Sequence, residues 1–169
     1  MIRMFGRVGV TLRTFSFLKG RRAMHADSQK IIGRVEDVVA DSKGNVLGFI
    51  ICEKKLSFSF RKKYVPYASV SMAGQDSVLL CSCGPYKIPF QAKGTFTMVK
   101  HPRCILKQAL LSKDGETDAV VEDVYFSDDW GRIVAIEVTK GLFSDWTDGR
   151  SLIYSHEPLT IGKQSLFVR

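Results

Sequence analysis

Ile32-Gly33-Arg34-Val35-Glu36-Asp37-Val38-Val39 and Ala119-Val120-Val121-Glu122-Asp123-Val124-Tyr125-Phe126 share the core Val-Glu-Asp-Val, 86 residues apart. Both stretches are rich in Val, Ile, Tyr and Phe, residues that suit a pleated, half-buried surface. Each runs into a polar turn. The first is Asp41-Ser42-Lys43-Gly44-Asn45, and the second, Ser127-Asp128-Asp129-Trp130-Gly131-Arg132, is one residue longer. In an Asp-x-x-Gly turn the Asp side chain can bond the bent backbone, and the Gly can take the positive φ. The Asp128-Asp129 pair is no calcium loop, because so short a turn does not supply six or more oxygens.

An apolar strand follows each turn, Val46-Leu47-Gly48-Phe49-Ile50-Ile51 and Ile133-Val134-Ala135-Ile136-Glu137-Val138. The copies also close alike, on Gly74-Gln75-Asp76-Ser77-Val78-Leu79-Leu80 and Gly162-Lys163-Gln164-Ser165-Leu166-Phe167-Val168, where the offset is 88. So small a drift marks an internal repeat. The runs are short and bounded by Gly, Asp, Ser and Asn, and no helical apolar stripe of about ten residues interrupts them. The chain therefore reads as all-β, two tandem small β-barrels joined by a short linker.

The boundaries that follow are a disordered basic extension over 1–11, a first barrel over 12–83, a linker over 84–103 and a second barrel over 104–169. The linker opens with Gly84, Pro85, Pro89 and Gly94 as breakers. The alternation of Tyr86, Ile88 and Phe90 predicts that it lies against a barrel. The repeat pairs Val35 with Val121, Gly44 with Gly131 and Ser77 with Ser165. It assigns Val35, Val38, Leu47, Phe49, Ile51, Val78 and Leu80 to the first interior, and Val121, Val124, Ile136 and Val138 to the second. Strand alternation turns some of these outward.

Composition agrees with a folded chain. The 169 residues are 45% hydrophobic and 25% charged, which excludes collagen-like and disordered classes. The longest apolar run, Val46 to Cys52, is far short of the roughly 20 residues of a spanning helix. No transmembrane segment is expected. Charge is uneven: the first 100 residues hold 17 of the 25 Lys and Arg but 6 of the 17 acids. No acid precedes Asp27, against Arg3, Arg7, Arg13, Lys19, Arg21 and Arg22. Such a field attracts polyanions, and it serves equally as a solubility charge. The start has neither the unbroken apolar core of a secretory signal nor its cleavage site. Reduced thiols in a cytoplasmic protein are the expectation for Cys52, Cys81, Cys83 and Cys104. Cys81-x-Cys83 lacks zinc-site spacing, as do His25, His101 and His156, so no metal is expected.

The Ile32–Val38 block, the Gly44 turn, Tyr64-Val65-Pro66-Tyr67-Ala68-Ser69-Val70 and Gln75-Asp76-Ser77-Val78-Leu79-Leu80 together resemble a PRC-barrel domain. This is the small β-barrel of the cytoplasmic part of the photosynthetic reaction centre H subunit and of the C-terminal domain of the ribosome maturation factor RimM. Leu12-Arg13-Thr14-Phe15-Ser16-Phe17-Leu18-Lys19-Gly20 resembles the opening of tandem PRC-barrel proteins of bacteria, with Leu12 in the place of their initiator Met. Gly141-Leu142-Phe143-Ser144-Asp145-Trp146-Thr147-Asp148-Gly149-Arg150 resembles the Gly-Leu-Phe…Asp…Gly-Arg stretch of the same proteins. The resemblance implies the fold and a role in assembly, docking or RNA processing. It brings no shared catalytic motif, and fold alone does not set function. This sequence holds neither the N-terminal domain of the ribosome factor nor the membrane helix of the reaction-centre subunit.

The residues themselves also point away from an enzyme. Glu36 and Asp37 are adjacent on a strand, as are Glu122 and Asp123, so their side chains face opposite sides and cannot converge as a catalytic dyad. One member of each pair is expected to turn inward and bond backbone groups. No nucleophile elbow, phosphate loop or dinucleotide fingerprint occurs. No catalytic residue and no cofactor are therefore assigned. The remaining candidates are surfaces. Lys54, Lys55, Arg61, Lys62 and Lys63 flank Leu56-Ser57-Phe58-Ser59-Phe60, a pattern able to hold phosphates and stack bases. Exposed Phe58, Phe60, Phe143 and Trp146 could dock a protein. Two functions stand side by side: a non-enzymatic adaptor or assembly protein docking onto a protein complex, and an RNA- or ribosome-associated factor using the basic first barrel. An anionic membrane surface is a further possible partner for the same charge.

Overall fold

A computed structural model describes residues 13–54, 59–73, 77–81, 94–99, 104–111, 117–139, 150–154, 160–161 and 165–167. The extension 1–11, linker residues Tyr86, Ile88 and Phe90, and the candidates Lys55, Phe58, Phe143 and Trp146 lie outside them. The described chain is mostly β. A four-residue helix α1 (Phe15–Leu18) leads into β1 (Arg22–His25), β2 (Ile31–Asp41), β3 (Val46–Lys54) and β4 (Phe60–Pro66). A 3-10 turn (Tyr67–Ser69) then leads to β5 (Val70–Ala73) and β6 (Ser77–Leu80). After β7 (Thr95–Thr97) come β8 (Ala109–Leu111), β9 (Thr117–Phe126), β10 (Ile133–Thr139), β11 (Ser151–Tyr154), β12 (Thr160–Ile161) and β13 (Ser165–Phe167).

The strands form two sheets of one design. The first runs β4-β3-β2-β1-β6-β5 and the second β11-β10-β9-β8-β13-β12, the same order counted from the first strand of each repeat. In both, the first strand pairs antiparallel with the second and parallel with the sixth. Val35 and Val121 hold equivalent places. Val35 bonds the backbone of Gly20 and Arg21, and Val121 that of Lys107 and Gln108, through the same N–H and C=O pattern. Ser77 stands opposite Arg22, and Ser165 opposite Ala109.

The turns show where letters and geometry part. Asp41 behaves as the pattern predicts: its carboxylate accepts from the N–H of Lys43 and Asn45, and Gly44 has φ +80°. In the second turn Trp130 takes the left-handed place, at φ +63°. The Ser127 hydroxyl accepts from the Arg132 N–H there, doing part of the work of Asp41. Gly131 is a glycine for a different reason, since a Cβ on it would stand 2.9 Å from the Tyr67 hydroxyl, which donates to the Asp129 carbonyl oxygen. The Ser127 hydroxyl and the Gly131 N–H, in that order, hold the Asp129 carboxyl below its usual range.

Each leading segment crosses to the other repeat. Residues ahead of the first sheet dock on the second: Thr14 bridges Tyr125, the Phe126 N–H donates to Arg13 O at 2.8 Å, and the Ser16 N–H donates to the Asp123 carboxylate at 3.2 Å. Residues ahead of the second sheet dock on the first. There β7 pairs with β2 (Val39 with Thr97, Asp41 with Thr95), and the N–H groups of Met98 and Val99 donate to the Asp37 carboxylate. Residues 95–97, placed in the linker by the sequence, are thus a strand of the first sheet. The tips of the two hairpins also bond each other, Val46 N–H to Gly131 O and Ile133 N–H to Gly44 O, both at 2.9 Å.

One contiguous apolar core results, with residues of both sheets and of both leading segments, Phe15 and Leu18 from one and Met98 and Ile105 from the other. Of the predicted interior, Val35, Val38, Phe49, Ile51, Val78, Leu80, Val121, Val124, Ile136 and Val138 are buried. Leu47 is the correction. It is half-buried and packs with Val39, Ile50 and Tyr64 in a cluster apart from the main core, because a bulge leaves Leu47 as the extra residue between Val46, opposite Ala40, and Gly48, opposite Val39, and so breaks the alternation that would have put it beside Phe49. Tyr64 caps this small cluster, donating its hydroxyl to Leu47 O at 2.8 Å. Its ring lies over Gly48, where a Cβ would stand 2.6 Å from the ring and overlap the Val65 carbonyl oxygen. Gly48→Ala should therefore cost about 2 kcal/mol or more by overpacking. A urea titration checks this, and an unchanged midpoint would show that both the Tyr64 ring and the Val65 backbone can give way.

Candidate functional site

The basic strand β4 closes one end of the first sheet's order, paired to β3 with Arg61 opposite Glu53 and Lys62 opposite Cys52. Arg61 is exposed. Lys62 and Lys63 are not free cations: the Lys62 ammonium is 3.5 Å from Glu36 and that of Lys63 is 2.9 Å from Glu53. Charges along an end strand also discourage pairing with another chain. Lys54 ends β3, in register with Phe60. The basic run therefore carries less unpaired charge than its letters suggest.

Phe60 remains a docking candidate. It is 64% exposed, and Ile31 is 54% exposed. Both line a groove of about 440 Å³ with Ile32, Gly33, Arg34, Cys52 and Glu53. The Glu-Asp pairs divide as expected. Asp37 and Asp123 turn inward onto backbone N–H groups, while Glu36 and Glu122 pair with Lys62 and Lys107. Neither pair forms a dyad. Among the described residues no three of His, Cys, Asp and Glu gather as a metal set. Cys52 and Cys104 are half-buried thiols, and Cys81 is an exposed one.

A second cleft, of about 760 Å³, was not singled out by the sequence. It lies between α1 and the start of β1, and Ser16, Phe17, Lys19, Gly20, Arg21, Arg22, Met24, Arg34 and Ser77 line it. The Arg21 guanidinium stacks 4.1 Å from the centre of the Phe17 ring, and its Nε–H donates to Phe17 O at 3.0 Å. Arg34 Nη1 donates to Gly20 O at 2.8 Å. The acid-free opening of the chain pointed towards Lys19, Arg21 and Arg22. Arg34 and Ser77 join them only through strand pairing, which no local pattern shows.

Residues 12–80 match the family model of the PRC-barrel domain. The chain is also similar to the uncharacterised protein YrrD of Bacillus subtilis strain 168, with 28% identity over 149 residues, covering 88% of this chain and 82% of that protein.

Proposed function

Because residues 12–80 match the family model of the PRC-barrel domain, we propose that this chain is a cytoplasmic, non-enzymatic tandem PRC-barrel adaptor that docks onto a protein complex. The tandem reading is supported by the shared strand order of the two sheets and by the matched placing of Val35 with Val121 and Ser77 with Ser165. The adaptor reading rests on one observation: Phe60 and Ile31, two large apolar side chains more than half exposed, flank one groove. Apolar side chains clustered beside a groove favour a protein contact over solvent. The alternative, an RNA- or ribosome-associated factor working through Lys54, Lys55, Arg61, Lys62 and Lys63, has weaker support, since Lys62 and Lys63 are paired with Glu36 and Glu53.

Affinity capture from a bacterial lysate at low and high salt, wild type against the double variant Ile31→Ser and Phe60→Ser, tests the reading. An apolar contact should survive high salt and be lost in the double variant, whose exposed positions cost little stability. Capture that disappears with salt in both proteins, with RNA among the captured material, would instead favour the alternative.

A further inference from the structure

We propose that the cleft between α1 and the β2-β1-β6 strands binds a compact polyanion, a small molecule with two adjacent phosphoryl groups, held by Lys19, Arg22 and Arg34. The first reason is a local cost. Arg22 and Arg34 stand directly opposite each other on paired strands, and both line the cleft. Like charges in that position repel and weaken a sheet. A bound anion would turn the repulsion into attraction.

The second reason is an internal control. The second sheet has the same three register positions, and they are occupied by Ala109, Val120 and Ser165 in place of Arg22, Arg34 and Ser77. The architecture thus stands without the two arginines, while the serine is present in both copies. The arginines are a property of the first copy's surface and not of the fold.

The geometry suits phosphate oxygens. The Arg34 guanidinium is oriented by its bond to Gly20 O, leaving other N–H groups of its planar fork for a bidentate contact. The volume lies within the range of small-molecule sites. A compact ligand fits better than a nucleic-acid strand, which needs a track of available cations. Across the sheet from Arg34, in register through Cys52, Lys62 is already ion-paired with Glu36. This site is independent of the docking groove except for Arg34, which lines both.

Calorimetric titration with inorganic pyrophosphate tests the assignment. The wild type should bind saturably, and more tightly than it binds orthophosphate. The double variant Arg22→Ala and Arg34→Val, which installs the second sheet's own residues, should bind at least about tenfold more weakly. Replacing Arg61, Lys62 and Lys63 together with Ser should leave pyrophosphate affinity unchanged. Thermal melting confirms that each variant is folded, and Arg22→Gln alone is the milder substitute if the double variant is not. No saturable binding by the wild type, or equal affinity in the wild type and the folded variant, would overturn the proposal. So would equal affinity for orthophosphate, or an oligonucleotide that binds at these arginines and is not displaced by pyrophosphate.

Discussion

Chains cut between residues 83 and 94 should not yield two folded halves. Each half should lack a cooperative melting transition, and the two should recover it when produced together. The first half would lose β7 from β2, and the Asp37 carboxylate would lose the N–H groups of Met98 and Val99. Its own α1 would lose the β9 strand it docks on, where Ser16 meets Asp123. Phe15 and Leu18, each 1% exposed, sit in the core shared by both sheets. The hairpin tips would also lose their two mutual hydrogen bonds. Units of this size bury only about 60–65% of their chain surface even when intact, so these losses exceed what either half can spare. Circular dichroism melts of each half, alone and mixed, check this. A first half that melts cooperatively at the temperature of the whole chain would show that the crossed segments add nothing.

Asp37→Ala should be the most damaging single substitution. The residue is 0% exposed, and its carboxylate accepts from the N–H groups of Val38 at 2.9 Å, Met98 at 2.8 Å and Val99 at 3.3 Å. Each buried donor left without a partner costs about 1–3 kcal/mol, and entering water recovers part of that. A total of about 3–5 kcal/mol is expected, against a whole-domain stability of about 5–15 kcal/mol. Asp123→Ala should cost less. Asp123 is 7% exposed, and its carboxylate accepts from Val124 and, at a longer 3.2 Å, from Ser16. Urea denaturation of the two variants measures the difference. Equal losses, or a larger one at Asp123, would mean that the links to Met98 and Val99 are not what makes Asp37 matter.

By itself the sequence determined that the chain is mostly β, and it located the strands that carry the Val-Glu-Asp-Val stretches and the apolar strands that follow them. These are local matters. Side-chain alternation has a period of two, and a turn must carry residues that tolerate its bend, so Val35 with Val121 and Ser77 with Ser165 could be matched by letters. The same period foretold that Glu36 and Asp37 would face apart. Tertiary structure alone decided the rest. Strand pairing depends on the three-dimensional path, so nothing near Thr97 or Thr14 says which sheet each will join. The described strands form two sheets over one core, and each leading segment lies on the other's sheet, a crossing that the letters do not show. Charge pairing follows the same rule. Lys62 and Lys63 are loose cations as letters but find Glu36 and Glu53 across paired strands. Arg22, Arg34 and Ser77 are scattered as letters and meet because β1 pairs with both β2 and β6. Hydrogen-bond register converts distance along the chain into adjacency in space, and only the folded sheet contains it.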